Sequence, residues 1–192
     1  VALLACLVLL SCKPVDEPKS TSKSEPTDNA APIGTGFDFY VLALSWSPGY
    51  CASEGSNADE NQCNSPRRYE FVVHGLWPQF EKGYPSDCDS KFAAQLPNAT
   101  VNQMLDIMPS YGLIKHEWRK HGRCSGLSPE DYFLATRIAF EKITQPPSFN
   151  GLQQTMSVSP QSVEKLFQAE NKEGLVDEAM RIVKPNGRIC VI

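Results

Sequence analysis

The stretch on which the fold turns is EFVVHGLWPQ, residues 70–79. Phe71, Val72 and Val73 are strand formers in an unbroken apolar run. His74 and Gly75 follow, then Trp77-Pro78, a pair expected to stop regular pairing. The stretch predicts a buried strand that leaves its sheet at a titratable imidazole. That imidazole would stand beside an indole and a backbone that Gly75 leaves open to close approach. A core histidine bonded to a backbone carbonyl would read the same way, so the remaining residues must decide.

Working outward, FDFYVLALSW (37–46) reads as a central strand and RYEFVV (68–73) as its neighbour. Residues 51–66 form a polar loop bounded by Cys51 and Cys63, and residues 79–90 a loop bearing Gly, Pro and Asp. Helical patterns follow near 91–108. SPEDYFLATRIAFEKI (128–143) opens on the cap Ser128-Pro129-Glu130-Asp131, and SPQSVEKLFQAEN (159–171) repeats that logic. The segment EAMRIVKPNGRICVI (178–192) predicts two strands around a Pro-Asn-Gly turn. Strands and helices mix without a βαβ rhythm, which predicts an α+β fold with a central antiparallel sheet and helices packed around it. There is no internal repeat, no GxGxxG and no phosphate-binding P-loop.

The 192 residues suffice for one domain with a sizeable core. A net charge of −4 argues against a protein that coats nucleic acid through a broad basic face, and leaves room for a small basic cleft. VALLACLVLLSC (1–12) has the length of a signal-peptide apolar region and is too short to span a bilayer. No basic segment precedes it, so the sequence is expected to start inside the leader. Leu9-Leu10-Ser11-Cys12 resembles a bacterial lipobox, with Cys12 as the lipidated first residue of the mature protein; an ordinary signal peptide cleaved further on is the alternative. Either reading exports the protein. Residues 13–36 are rich in Pro, Ser, Thr, Lys and Glu and predict a disordered tether, which leaves 37–192 as a single domain. Cys51, Cys63, Cys88, Cys124 and Cys190 remain in that domain, where an oxidising compartment would pair them. Five is odd; the partner of Cys190 is expected beyond Ile192, with the last strand cut short.

All three histidines fall in two short stretches, and the second is KHEWRKHGRCS (115–125). On a helix running to Gly122, His116, Lys120, Glu117 and His121 lie near roughly 0, 40, 100 and 140° and share one face. Trp118, near about 200°, points away and can anchor the helix in the core. Zinc fits poorly. The histidines are five apart rather than four, they diverge by roughly 140°, and a lysine stands between them. No metal is expected. Two imidazoles, an ammonium and a carboxylate suit a phosphodiester that gains charge and exchanges protons.

FVVHGLWPQ and KHEWRKHGRC resemble the two active-site segments of the ribonuclease T2 family, acid endoribonucleases of the transferase type. FYVLALSWSPGYC (39–51) resembles the family's first strand and is closest to its bacterial branch. The resemblance implies an α+β fold, no cofactor, and metal-independent cleavage of single-stranded RNA. Cleavage would run through a 2′,3′-cyclic phosphate to 3′-phosphate ends with low base specificity, and DNA would be inert. It implies His74 and His121 as the acid–base pair, with His121 the base. Glu117 and Lys120 would stabilise the pentacovalent phosphate, and His116 would bind phosphate. Trp77 matches an aromatic of the first base pocket, with Tyr84 as its second platform. Gln79 stands where some members carry an acidic base contact, and Pro109 and Ser110 fall at the second pocket. Cys88 and Cys124 match the family's most widespread disulfide. A monomer is expected, meeting the membrane only through a lipid at Cys12. A binding or inhibitory protein on the same fold would usually lack one histidine of the pair, and both are present.

Overall fold

The apolar runs around Leu42 and Val72 pair as the two long strands of a sheet that has three strands among the described residues. The computed structural model describes residues 31–151 and 158–171, and the backbone of 188–191. Strand β1 (Phe39–Trp46) occupies the centre, with β2 (Phe71–Gln79) antiparallel on one side. Strand β3 (Arg188–Val191) lies on the other side, parallel to β1, with Cys190 opposite Ala43. The α+β class holds and its central pair is antiparallel, while β3 adds a parallel neighbour. The leader, Cys12, the Pro-Asn-Gly turn and the strand expected before it lie outside the described residues.

The second strand was expected over 68–73; it occupies Phe71–Gln79 and does not stop at His74. Trp77 pairs with Val41 and Pro78 with Tyr40. Pro78 is tolerated because β2 is an edge strand among the described residues, so one row of its backbone groups faces away from the ladder and a missing N–H there breaks no pairing. The irregularity sits at the histidine instead. Ala43 pairs with Gly75 and the next residue, Leu44, with Val73, so His74 is the extra residue of a β-bulge.

Seven helices and 3₁₀ turns matter for the packing. Helices α1 (Ser47–Glu54) and α2 (Glu60–Cys63) follow β1 and are joined by the Cys51–Cys63 disulfide. The helical pattern near 91–108 yields only α3 (Asn98–Asn102). Pro97 keeps the residue before it out of the helical region, and Pro109 does the same to Met108. Helix α4 (Tyr111–Lys120) is capped by Ser110, whose Oγ accepts from the Leu113 N–H at 3.3 Å. It therefore starts one turn before the histidine-bearing stretch KHEWRKHGRCS. A 3₁₀ turn (Gly122–Ser125) continues it. Helices α5 (Pro129–Glu141) and α6 (Pro160–Glu170) begin at the caps expected from sequence, Ser128 and Ser159.

Leu42, Leu44, Val73 and Leu76 from the sheet meet Ile114 and Trp118 of α4 and Tyr132 and Ala135 of α5 in one core. Tyr132 also donates its hydroxyl to the Leu76 carbonyl at 2.8 Å, which fixes α5 to β2 just past the bulge. Gly122 lets this corner close. A Cβ there would stand 2.4 Å from Trp118 Cε3 and 2.9 Å from Tyr132 Cδ1. The fold also begins earlier than composition suggested. Ala31 is buried and the Thr35 N–H donates to the Ser125 carbonyl at 2.9 Å, so 31–36 pack against the turn after α4 rather than belonging to a tether. Small side chains let this backbone lie flat. A Cβ on Gly34 would sit 2.4 Å from the same Ser125 oxygen.

Candidate active site

Helix α4 buries Ile114, Glu117 and Trp118 on one stripe, and two of the three are ordinary core residues. Trp118 anchors the stripe as expected, its Nε1–H donating to the Ala93 carbonyl at 2.9 Å. Glu117 is the exception, a carboxyl 1 % exposed that pairs with no Lys or Arg among the described residues. It is held by Trp77, whose Nε1–H donates to Oε2 at 2.8 Å across from β2. Gly75 makes the space. A Cβ at that position would lie 2.0 Å from Glu117 Oε2 and 2.4 Å from Trp77 Nε1.

Both histidines of the expected acid–base pair turn toward this carboxyl. His74 Nε2 lies 3.8 Å from Oε1, and His121 Nε2 lies 3.9 Å from Oε2. These separations are too long for hydrogen bonds and leave the inner nitrogens free to meet a ligand. Trp77 ties the pair together from the other side. It stacks on His121 with ring centres 5.3 Å apart and meets His74 edge-on at 5.8 Å. The bulge aims His74 into this group, and the end of α4, where His121 is the C-cap, delivers the second imidazole.

Burial shapes the charges. It pushes the Glu117 carboxyl up to about 7, against the lowering effect of the Trp77 hydrogen bond. Burial also depresses both histidines. His74 falls below its ordinary value, and the nearby charge of His116 lowers it further. His121 falls to about 4, pressed by burial and then by His116, Lys120 and His74. His116 is thus close enough to act on both imidazoles, and Lys120 on one, while each stands exposed on α4.

The base-pocket candidates are placed less tightly. Gln79 is half-buried at the end of β2, opposite Phe39. Tyr84 stands in solvent on the loop after β2, 62 % exposed. Pro109 is buried, and the hydroxyl of Ser110 is engaged as the cap of α4, roughly 16 Å along the helix axis from His121. Cys88 and Cys124 are bonded, joining the loop after β2 to the turn after α4. One residue escaped the sequence reading. Ser45 Oγ lies 3.2 Å from His74 Nδ1, the outer nitrogen of that ring. Its signal was a lone serine inside the apolar run FYVLALSW. Among the described residues, no group of three or more His, Cys, Asp or Glu side chains could hold a metal ion.

The family model described as the Ribonuclease T2 family matches residues 37–173, which span β1, the bulged β2 and the whole of α4. The chain belongs to the ribonuclease T2 family. A protein named ribonuclease from Aeromonas hydrophila is 48 % identical over 96 residues, which cover 50 % of this chain and 41 % of that protein. Ribonuclease I of Escherichia coli K12 is 30 % identical over 135 residues, covering 50 % of each. The chain thus spans about half the length of these curated relatives, or less. The crystal structure of RNase NT in complex with 5′-AMP superposes with a TM-score of 0.53 at 23 % identity. The match covers 71 % of this chain and 73 % of that one, and likeness at that identity extends to the fold.

Proposed function

We propose that the protein is an exported, metal-independent endoribonuclease. It cleaves single-stranded RNA by transphosphorylation, through a 2′,3′-cyclic phosphate to 3′-phosphate ends, with low base specificity. The observation that carries this reading is one buried carboxyl, Glu117, set between the inner nitrogens of two histidines.

His121 acts as the base. Held near 4, its imidazole is unprotonated at neutral pH and can take the proton of a ribose 2′-hydroxyl. The oxygen left behind attacks phosphorus, and the bond to the 5′-oxygen breaks as His74 supplies that oxygen with a proton. An acid must be charged beforehand. Burial and His116 depress His74 in the free site, and the negative charge of a bound phosphodiester opposes both. Lys120 and His116 offset charge that builds on the phosphoryl oxygens. Glu117, neutral below about pH 7, can donate a hydrogen bond to one of those oxygens while Oε2 keeps Trp77 in place. Trp77, Tyr84, Gln79, Pro109 and Ser110 are proposed contacts for the bases flanking the scissile phosphate. DNA lacks the attacking hydroxyl and is not cut.

The purified protein, incubated with single-stranded RNA in excess EDTA, yields cyclic-phosphate ends and leaves DNA intact. Absence of cleavage by a folded, oxidised sample rejects this function; cleavage that EDTA abolishes rejects the metal-free chemistry. The two disulfides support export, since they persist in oxidising compartments. Lipidation at Cys12 is a separate proposal. Cys12→Ser releases the protein from membranes, and continued attachment of that variant rules the anchor out.

A further inference from the structure

The outer face of α4 is basic, although the chain as a whole is acidic. Between Tyr111 and Lys120 the exposed side chains are Tyr111, Lys115, His116, Arg119 and Lys120. The single carboxylate of the helix, Glu117, is buried on the opposite side. Among the described residues, Lys115, Arg119 and Lys120 form no salt bridge. Among the described residues the half-buried Arg137 is the one Lys or Arg held in salt bridges, to Asp106 and Glu141; what sets α4 apart is that its cations lie side by side on one face.

The arrangement has a direction. At about 100° per residue, Lys120, His116, Arg119 and Lys115 follow one another around the helix from the active-site edge outward. Lys115 and Arg119 are four apart and stack one above the other. Lys115 lies roughly 9 Å from His121 along the axis and on a different face, so it is poorly placed to share the scissile phosphate. Cations held apart without counterions repel one another, and an extended polyanion relieves that repulsion. Tyr111 adds an exposed ring, 43 % accessible, at the far end of the band.

We propose that Lys115 and Arg119 form a path for phosphates of the RNA strand beyond the scissile one, so that α4 holds a polymer as well as carrying the reaction. This rests on the ribonuclease reading and adds to it a preference for chains over dinucleotides. The test uses Lys115→Gln/Arg119→Gln in the full chain, against Lys142→Gln/Lys165→Gln as a control of equal charge change on other exposed surfaces. For the first variant, kcat/KM on polymeric single-stranded RNA falls about tenfold at low salt. The slope of its logarithm against log salt becomes shallower by about 1.4, ~0.7 per lost phosphate contact. Cleavage of a dinucleoside monophosphate, which has no second phosphate, does not change. An unchanged polymer slope, or an equal fall in the control, overturns the proposal; so does an equal loss on the dinucleotide. Affinity for a 2′-O-methyl RNA oligomer, measured by anisotropy across the same salts, reads the path without any cleavage. A wild type that binds this oligomer through α4 but cuts nothing therefore refutes the function and keeps the path.

Discussion

His74 leaves the interior of a strand and His121 leaves the end of a helix, and the two mounts leave the rings in different states. The strand ring stands in a bulge with its side chain 36 % exposed; the helix ring is 18 % exposed and stacked on Trp77. Burial depresses both, but only His121 is pressed by two cationic neighbours on its own helix, His116 and Lys120, as well as by His74. Two copies of one side chain thus stand in unequal electrostatic settings, which is what the proposed acid–base pair needs. The strongest way to break the comparison is to remove either ring. His74→Ala and His121→Ala each lower kcat by about 10³-fold with the folded state intact by circular dichroism. Near-normal turnover in both variants would remove them from the chemistry.

The next effect tests the space the two mounts share. Gly75 lies next to the bulge, and any Cβ there would overlap Glu117 Oε2 and Trp77 Nε1. Gly75→Ala therefore displaces the carboxyl, costs about 1–3 kcal/mol in denaturant unfolding, and lowers kcat by about 10²-fold. Retention of both activity and stability would mean that the carboxyl has room to move without consequence.

How much of this could be read in advance differs between the two mounts. The helix was legible because its evidence is local. Trp118 and the polar face follow from spacing, and Gly122 marks the end. The strand was legible only in part. Whether Pro78 stops pairing depends on whether β2 lies at the edge of the sheet, which is a property of topology. A bulge is equally hidden, because it exists only relative to the register of β1. The burial of Glu117 was missed for a related reason. A helical wheel put it among the polar residues, and only the approach of Gly75 and Trp77 from another element takes it out of water. Residues 31–36 carry few large side chains, so composition hid contacts made by their backbone.

The buried carboxyl also opposes the histidines in their effect on stability. Glu117 binds its proton more tightly when folded, about 7 against an ordinary 4.5. The folded state therefore holds more protons across that window, and this group's contribution to stability falls as pH rises through it. His121, lowered from 6.5 to about 4, works the other way, its contribution rising with pH between those values. Glu117→Gln leaves only the second trend. The variant melts close to wild type near pH 4.5 and higher than wild type at pH 8, while its kcat falls. A melting temperature below wild type at pH 8 would show that the ionised carboxylate stabilises the fold.

The smallest effect concerns the outer nitrogen of His74. An imidazole that gives up a proton from Nε2 must keep the other on Nδ1, or the ring flips its tautomer and turns the wrong nitrogen to substrate. Ser45 Oγ, 3.2 Å from Nδ1, can accept that hydrogen in both the charged and the neutral ring. His121 has no comparable hydrogen bond among the described residues and relies on stacking with Trp77. On the proposed mechanism Ser45 positions one mount only, with less at stake than the ~10²–10⁴-fold carried by a proton-transfer group. Ser45→Ala lowers kcat by about tenfold and moves the limb of the pH–rate profile that reports His74, leaving the His121 limb in place. Ser45→Thr keeps the hydroxyl on a residue suited to a strand and restores both. An alanine variant with an unshifted profile would mean that the bulge alone orients His74. The strand mount would then be as self-sufficient as the helix.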